Sequence, residues 1–287
     1  CYGRNNRVDM LELCGGTGGI SQLAFRRQLS SGGNLDKRAN VDLDDPKVQE
    51  AVIHYLHTCF VNVVILQPNC RTTGPLSHFN AQADYETWHA HHQEDLPHIK
   101  FCGKVALLQD DLHRLFLREQ PRGTWIDEIP PWTALAERKV TRKAIMDQCC
   151  TGLCDSHGTF IKKPTAMMAN YAAILEPFRH QVCDGYHKHA TVCNRELSKA
   201  AQYTPKMQSL IVDAVKIAKD VLSTGTDPFH DRPRHFHHYV TNSAGYDLDD
   251  ATIPRQDNGE IIRPAGITAT CPACVDHIQM NSPVSYT

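Results

Sequence analysis

Residues 61–67, Val-Asn-Val-Val-Ile-Leu-Gln, constrain this chain more than any other stretch. The run is almost continuously apolar, without the period-two alternation of a strand that has one wet face. Such a strand is buried on both sides, the condition of a central strand in a parallel sheet covered by helices. The flanking segments agree. Asp44-Asp45-Pro46 opens a helix that runs to about His57, with an aspartate placed to cap it and proline in its first turn. Residues 8–14 form a second short buried strand, followed by Gly15-Gly16-Thr17-Gly18-Gly19 and an amphipathic helix from Ile20. Strand, tight turn and helix in this order predict an α/β fold, Rossmann-like, with a mostly parallel central sheet.

Between these segments the pattern gives a strand at 39–43 ending near Asp42, a loop or solvent-facing helix at 80–98, a long helix at 99–119, and a strand at 124–128. After residue 138 the texture changes. A basic patch, Arg-Lys-Val-Thr-Arg-Lys, spans 138–143, and Cys/His-rich stretches at 149–158 and 183–193 flank a strand-like segment at 159–170. Residues 203–219 read as an amphipathic helix with Pro205 in its first turn. The expected organisation is a cofactor-binding core at 1–138 and a small Cys/His-rich lobe at 139–200. A helix at 201–220 returns to the core, and an extended or weakly ordered tail occupies 221–287.

Lys and Arg total 30 against 32 Asp and Glu, a formal charge of -2, which argues against coating by nucleic acid through bulk charge but leaves room for a local basic groove. No apolar run of about 18 residues exists, so no transmembrane helix is expected. A chain that opens on Cys1 without a basic-then-apolar segment is expected to lack a signal peptide and to be a processed or polyprotein-derived piece. The 12 cysteines fall in clusters, not in the even spacing of a disulfide scaffold. That suits a reducing, nuclear or cytoplasmic setting with metal or catalytic use of the thiols.

The glycine loop narrows the class. Glycines let a backbone turn tightly and approach a ligand, and the helix that follows presents unpaired N–H groups. Glu12, Cys14, Gly15, Gly16, Thr17, Gly18 and Gly19 do not fit the dinucleotide G-x-G-x-x-G form; they resemble motif I of the S-adenosylmethionine-dependent methyltransferases. That resemblance implies that the loop cradles the methionine and ribose parts of the cofactor, and that an acid at the end of the second strand, Asp42, accepts from the ribose hydroxyls. A cap role for the aspartates at 42–45 remains the alternative.

Pro68-Asn69-Cys70, at the end of the 61–67 strand, resembles the Pro-Pro-Cys loop of cytosine-5 DNA methyltransferases, with Asn69 in place of the second proline. The resemblance implies Cys70 as the nucleophile toward cytosine C6, chemistry that needs a thiolate because the ring carbon is a weak electrophile. It places Pro68 beside the cofactor and Arg71 and Ser77 beside the substrate. Trp-Ile-Asp-Glu-Ile-Pro at 125–130 resembles the family strand whose glutamate holds cytosine N3, which assigns that role to Glu128 with Asp127 as second choice. Arg142 then matches the arginine on the base O2. Lys162, Lys163, Pro164, Thr165 and Asn170 resemble the Lys-x-Thr…Asn strand of divergent phage and protist retroelement-polyprotein members, with Lys162, Lys163 and Thr165 on the substrate. What the resemblance implies is transfer of a methyl group to C5 of cytosine in DNA. RNA as substrate, and a binding module without catalysis, are the alternatives.

The Cys/His stretches carry a separate signal. Cys150, Cys154, Cys183 and His187 have spacings within reach of structural zinc, with His189 next, and a site across the two clusters would hold a lobe poor in apolar residues. Core cysteines with phosphate-contacting histidines are the competing reading. Cys271, Cys274 and His277 form half of a possible second site.

Overall fold

The computed structural model describes residues 6–190 and 200–224. Cys193, the Cys271–Cys274–His277 group and the tail beyond residue 224 lie outside the described residues.

Six strands form one sheet in the order β2-β1-β3-β4-β6-β5. They are β1 (Arg7–Leu13), β2 (Ser31–Leu35), β3 (Phe60–Leu66), β4 (Leu115–Pro121), β5 (Arg142–Asp147) and β6 (Pro164–Ala169). The first four are mutually parallel; β6 runs antiparallel to β4, and β5 antiparallel to β6. The helices are α1 (Gly19–Arg26), α2 (Pro46–Thr58), α3 (Ser77–Ala83), α4 (Tyr85–Asp111), α5 (Trp132–Glu137), α6 (Glu176–Arg179) and α7 (Pro205–Ser223). This is a mixed α/β fold of generic Rossmann-like topology, with a mostly parallel sheet flanked by helices.

Alternation along the strands feeds two cores. Val64 and Leu66 of β3 join Leu56, Ile99, Val105 and Trp132 from α2, α4 and α5. Val63 and Ile65 join Ile20, Phe178, Met207, Ile211 and Val215 from α1, α6 and α7 on the other face. The apolar run at 61–67 is the sheet's double-sided centre, as its composition requires. Caps follow the sequence as well: Asp45 accepts from the Lys47 amide at 2.9 Å with Pro46 at the first helical position, and the Thr204 hydroxyl accepts from the Met207 amide at 3.1 Å.

Three elements differ from the sequence expectation. The second strand is Ser31–Leu35, not 39–43, because this edge strand is built from Ser-Gly-Gly-Asn-Leu and shows no apolar run. The helix expected at 99–119 is two elements. His113 takes a left-handed conformation (φ 54°), α4 ends at Asp111, and Leu115–Leu117 pair with β3 instead. Residues 124–128 are not a strand; Ile126–Glu128 form a single 3-10 turn. The polar stretch at 80–98 is α3 and the first half of α4, with Trp88, His92 and Leu96 turned inward.

Candidate active site and metal centre

The C-terminal ends of β1, β3 and β4 form one rim of the sheet, where ligands of open α/β folds bind. On the β1 side, Cys14, Gly16 and Gly18 all have positive φ (59°, 57° and 69°), so the chain turns back sharply before α1. The Gly15 amide donates to Asn34 Oδ1 at 3.1 Å, and the Gly16 amide donates to Asp36 Oδ2 at 2.9 Å. A Cβ on Gly15 would stand 2.2 Å from Glu12 Oε1, so the loop tolerates no side chain there. Glu12 is fully buried under the loop and accepts from the Ser21 amide (3.0 Å), the Ser21 hydroxyl (2.6 Å) and Gln67 Nε2 (3.2 Å). Burial raises its pKa against the pull of these donors. The Thr17 carbonyl accepts from Gln22 Nε2 at 3.0 Å, and Gly19 packs against Gln208 of α7.

The acid at the end of the second strand is Asp36, which sequence reasoning missed because it placed that strand eight residues late. Asp42 sits instead in an exposed turn, 3.4 Å from Lys37 Nζ and accepting from the Asp44 amide at 3.0 Å. Cys14 contributes a further feature, its Sγ lying 3.8 Å from that of Cys102 in α4.

On the β3 side, the Pro68 carbonyl accepts from Gln120 Nε2 at 2.6 Å, tying the loop to β4. Asn69, the departure from Pro-Pro-Cys, is pinned: its Nδ2 donates to Asp95 Oδ1 at 3.0 Å and its Oδ1 accepts from the Arg71 amide at 3.0 Å. Side-chain hydrogen bonds thus do the stiffening that a second proline ring would do. The half-buried Cys70 follows. Burial pushes its thiol up to about 11, with the Lys163 charge pulling down and the Glu119 charge pushing up.

Glu119, on β4, is a carboxylate whose charge reaches Cys70, as does that of Asp95. Glu119 is buried, with Gln148 Nε2 at 3.4 Å, Lys163 Nζ at 3.9 Å and the buried Tyr203 hydroxyl facing it. Gln148 also donates to Thr165 Oγ1 at 2.9 Å, and Thr165 is fully buried. Gln148 and Tyr203 had no signal in the sequence. For Glu119 a signal existed: Leu-Phe-Leu-Arg-Glu is a buried strand ending in an acid, masked by the helical spacing of Leu112, Leu115 and Phe116.

The other expected site residues are placed as follows. Glu128 is exposed on the 3-10 turn, its pKa raised by partial burial and by Asp127. Asp127 is taken by Arg118 at 2.6 Å and by Lys143. Arg142 is exposed and donates to the carbonyls of Lys139 and Thr141. It lies at the wrong end of β5, because that strand is antiparallel to β6: Arg142 pairs with Ala169, whereas the Cys70 rim lies at Thr165, opposite Pro121. Arg71 is committed to Asp95 (2.9 Å) and Glu94 (2.6 Å), and buried Ser77 accepts from Trp125 Nε1 at 3.1 Å. Lys162 is exposed, while Lys163 turns inward and donates to the Ala200 carbonyl at 3.1 Å. In the basic patch Arg138 is paired with Asp110 and Asp111 and Lys143 with Asp127.

The small lobe brings four metal-ligating side chains together: Cys149, Cys183, His187 and His189, their donor atoms all within 4.8 Å of one another. Cys183 Sγ lies 3.7 Å from His187 Nε2 and 3.4 Å from His189 Nε2. Burial and the adjacent Cys183 raise the Cys149 thiol, the effect a bound cation would reverse. Cys150 and Cys154 lie outside the group. The 3-10 turn Gln148–Thr151 sends Cys149 inward and leaves Cys150 half-buried, and Cys154 is in a β-bridge with Phe160.

No helix among the described residues is long and apolar enough to cross a membrane. No protein-family model matches the chain, and no curated protein sequence matches it. The class defined so far is therefore that of the fold: an α/β domain with a glycine loop at the β1 end, a Cys/Glu pair at the β3 and β4 ends, and a Cys/His group that could hold a metal ion such as zinc.

Proposed function

We propose that this protein is an S-adenosylmethionine-dependent methyltransferase acting on C5 of cytosine in DNA. The observation that carries the reading is the juxtaposition of Cys70 and Glu119 at the ends of adjacent strands, one strand from a glycine loop that ends at a helix N-terminus. The loop fits the cofactor in one respect that can be checked: nothing lies within 4 Å of where a Cβ on Gly16 would stand, so open space adjoins the backbone there, whereas the space at Gly15 is filled by Glu12. Gly15–Gly19, Glu12, Cys14 and Pro68 would hold the cofactor, with Asp36 as the ribose acceptor in place of Asp42. The bound cofactor would supply an electrophilic methyl group.

The protein's own residues do the remaining work. The Cys70 thiolate attacks C6, which makes C5 nucleophilic, and Glu119 stabilises the ring by a hydrogen bond at N3. After C5 takes the methyl group, loss of the C5 proton expels the thiolate and restores the ring. Lys163 is the cation that favours the Cys70 thiolate. A non-catalytic binding module is the second reading, favoured by the same thiol: at about 11, little thiolate is present at neutral pH before substrate binds.

A duplex carrying 5-fluorocytosine separates the two, since fluorine at C5 cannot leave as a cation and the adduct persists. Intact mass should show protein, oligonucleotide and one methyl group joined, and Cys70→Ser should show none. Methyl transfer by Cys70→Ala would eliminate the cytosine-5 mechanism.

The Cys149–Cys183–His187–His189 group is read as a structural zinc centre. Two thiolates and two imidazoles are the donors zinc prefers, and they fill all four tetrahedral positions, leaving none for substrate.

A further inference from the structure

We propose that this zinc centre is a positioning device for the candidate catalytic pocket: it holds Gln148 against Glu119 through the adjoining ligand Cys149. The inference deepens the zinc reading above and rests on it.

The connection is short and covalent. Gln148 and Cys149 are consecutive in the 3-10 turn that ends β5. The Gln148 amide donates to the Lys163 carbonyl at 3.1 Å, and its side-chain Nε2 reaches Thr165 Oγ1 at 2.9 Å and Glu119 Oε1 at 3.4 Å. Gln148 Oε1 is buried and has no hydrogen-bond partner. A buried acceptor left unpaired is costly, so the side chain needs an anchor to stay in this place.

The partner segment supplies that anchor. It is tied to the same turn by the Asp147 amide donating to the Gln181 carbonyl (2.7 Å) and the Cys183 amide donating to Asp147 Oδ2 (3.0 Å). Apolar packing joins the two segments only as far as Met146 and Phe178, in the second core; beyond them the local cluster is Leu153, Ile161 and Ala200, with Ala190 against it. A metal ion joining Cys149 to Cys183, His187 and His189 would cross-link the two segments beyond that packing, releasing the two thiol protons as it binds.

The test uses the full chain, selectively labelled with 15N-glutamine, with zinc measured by elemental analysis. The Gln148 side-chain amide is assigned by its loss in Gln148→Ala. The expected result is about one zinc per chain with a tetrahedral site. Cobalt substitution should give visible bands and thiolate charge transfer in wild type, Cys150→Ser and Cys154→Ser, but not in Cys183→Ser or His189→Ala. On zinc removal by chelator the Gln148 amide should shift to the position of a solvated glutamine, while the signals of Gln22 and Gln109 stay in place. Added zinc should restore it. A chain that carries no zinc overturns both the metal reading and this one. A chain that carries zinc but keeps its Gln148 signal after chelation overturns the positioning role alone. Collapse of all glutamine signals on chelation also overturns it, since the metal would then hold the whole fold. No methyl donor or DNA enters the experiment, so its failure is distinguishable from failure of the methyltransferase reading.

Discussion

The parallel half of the sheet and the lobe formed by residues 148–163 and 181–190 are held together by opposite means. Around β1 and β3 the chain buries an aliphatic layer on each face, and the polar groups at the rim, Glu12 and Asp36, are anchored by neighbouring backbone amides. In the lobe the apolar cluster is a few residues, and order comes from turns, carboxylate caps and the Cys/His group. The difference teaches where precision resides. A large core fixes strand positions regardless of ligand, whereas a lobe without one depends on polar closure, which is costly to leave incomplete.

The sharpest way to break the comparison is to exchange the acids. Cys70→Ser should abolish methyl transfer while cofactor binding, measured by calorimetry, persists. Glu119→Gln should lower the rate roughly 10²–10⁴-fold, the range for a positioned proton-transfer group. Glu128→Gln, on an exposed turn, should leave it nearly unchanged. A large loss at Glu128 with little at Glu119 would return the catalytic role to the turn.

Stability comes next. Leu66→Ala should cost about 2–5 kcal/mol in global unfolding by denaturant, because Leu66 is fully buried in the larger core. Leu153→Ala should show its effect as faster hydrogen exchange confined to 148–163 and 181–190, with little change in the global midpoint. Equal global losses would mean that lobe and sheet are one cooperative unit.

The acid proposed for the ribose gives a smaller effect. Asp36→Ala should weaken cofactor binding by about 1–3 kcal/mol, the usual loss for hydrogen bonds to a charged group. Asp42→Ala should change it far less, and the reverse order would restore the 39–43 reading.

The remaining effect is pH-dependent and belongs to the parallel half. His92 is fully buried, stacked on Trp88 with ring centroids 5.2 Å apart, and its Nδ1 is 3.3 Å from Thr72 Oγ1. Burial lowers its pKa from 6.5 to about 4. Between these values the unfolded chain binds the proton and the folded chain does not. The stabilisation is therefore complete above 6.5 and is lost as pH falls toward 4, by up to about 1.4 kcal/mol per pH unit. Thermal unfolding of His92→Phe should show a shallower acid slope in this window; an unchanged slope would place the acid sensitivity elsewhere.

Much of the architecture was legible locally. The 61–67 run, the cap at Asp45-Pro46, the glycine turn and the helix from Pro205 each carry their signal within a dozen residues. The glycine loop and Cys70 are placed by the strands they follow, so finding those strands located them. The donor types of the Cys/His group were legible too, because cysteine and histidine clusters stand out against any background.

What tertiary structure decided was which member of each set meets its partner. Glu119 rather than Glu128 is the glutamate whose charge reaches Cys70 because Leu115–Leu117 pair with β3, a contact between segments about fifty positions apart that overrides their helical spacing. Asp36 rather than Asp42 ends the second strand because a polar edge strand pairs with β1. Cys149 and His189, not Cys150 and Cys154, complete the group with Cys183 and His187, although the Cys150 thiol also lies beside that of Cys149. Arg142 is carried away from the rim because β5 runs antiparallel to β6. Sequence alone determined the α/β character and the chemical inventory, since propensity and patterning are local. The assignments within that inventory follow from strand pairing and direction, which are properties of residues distant in the chain.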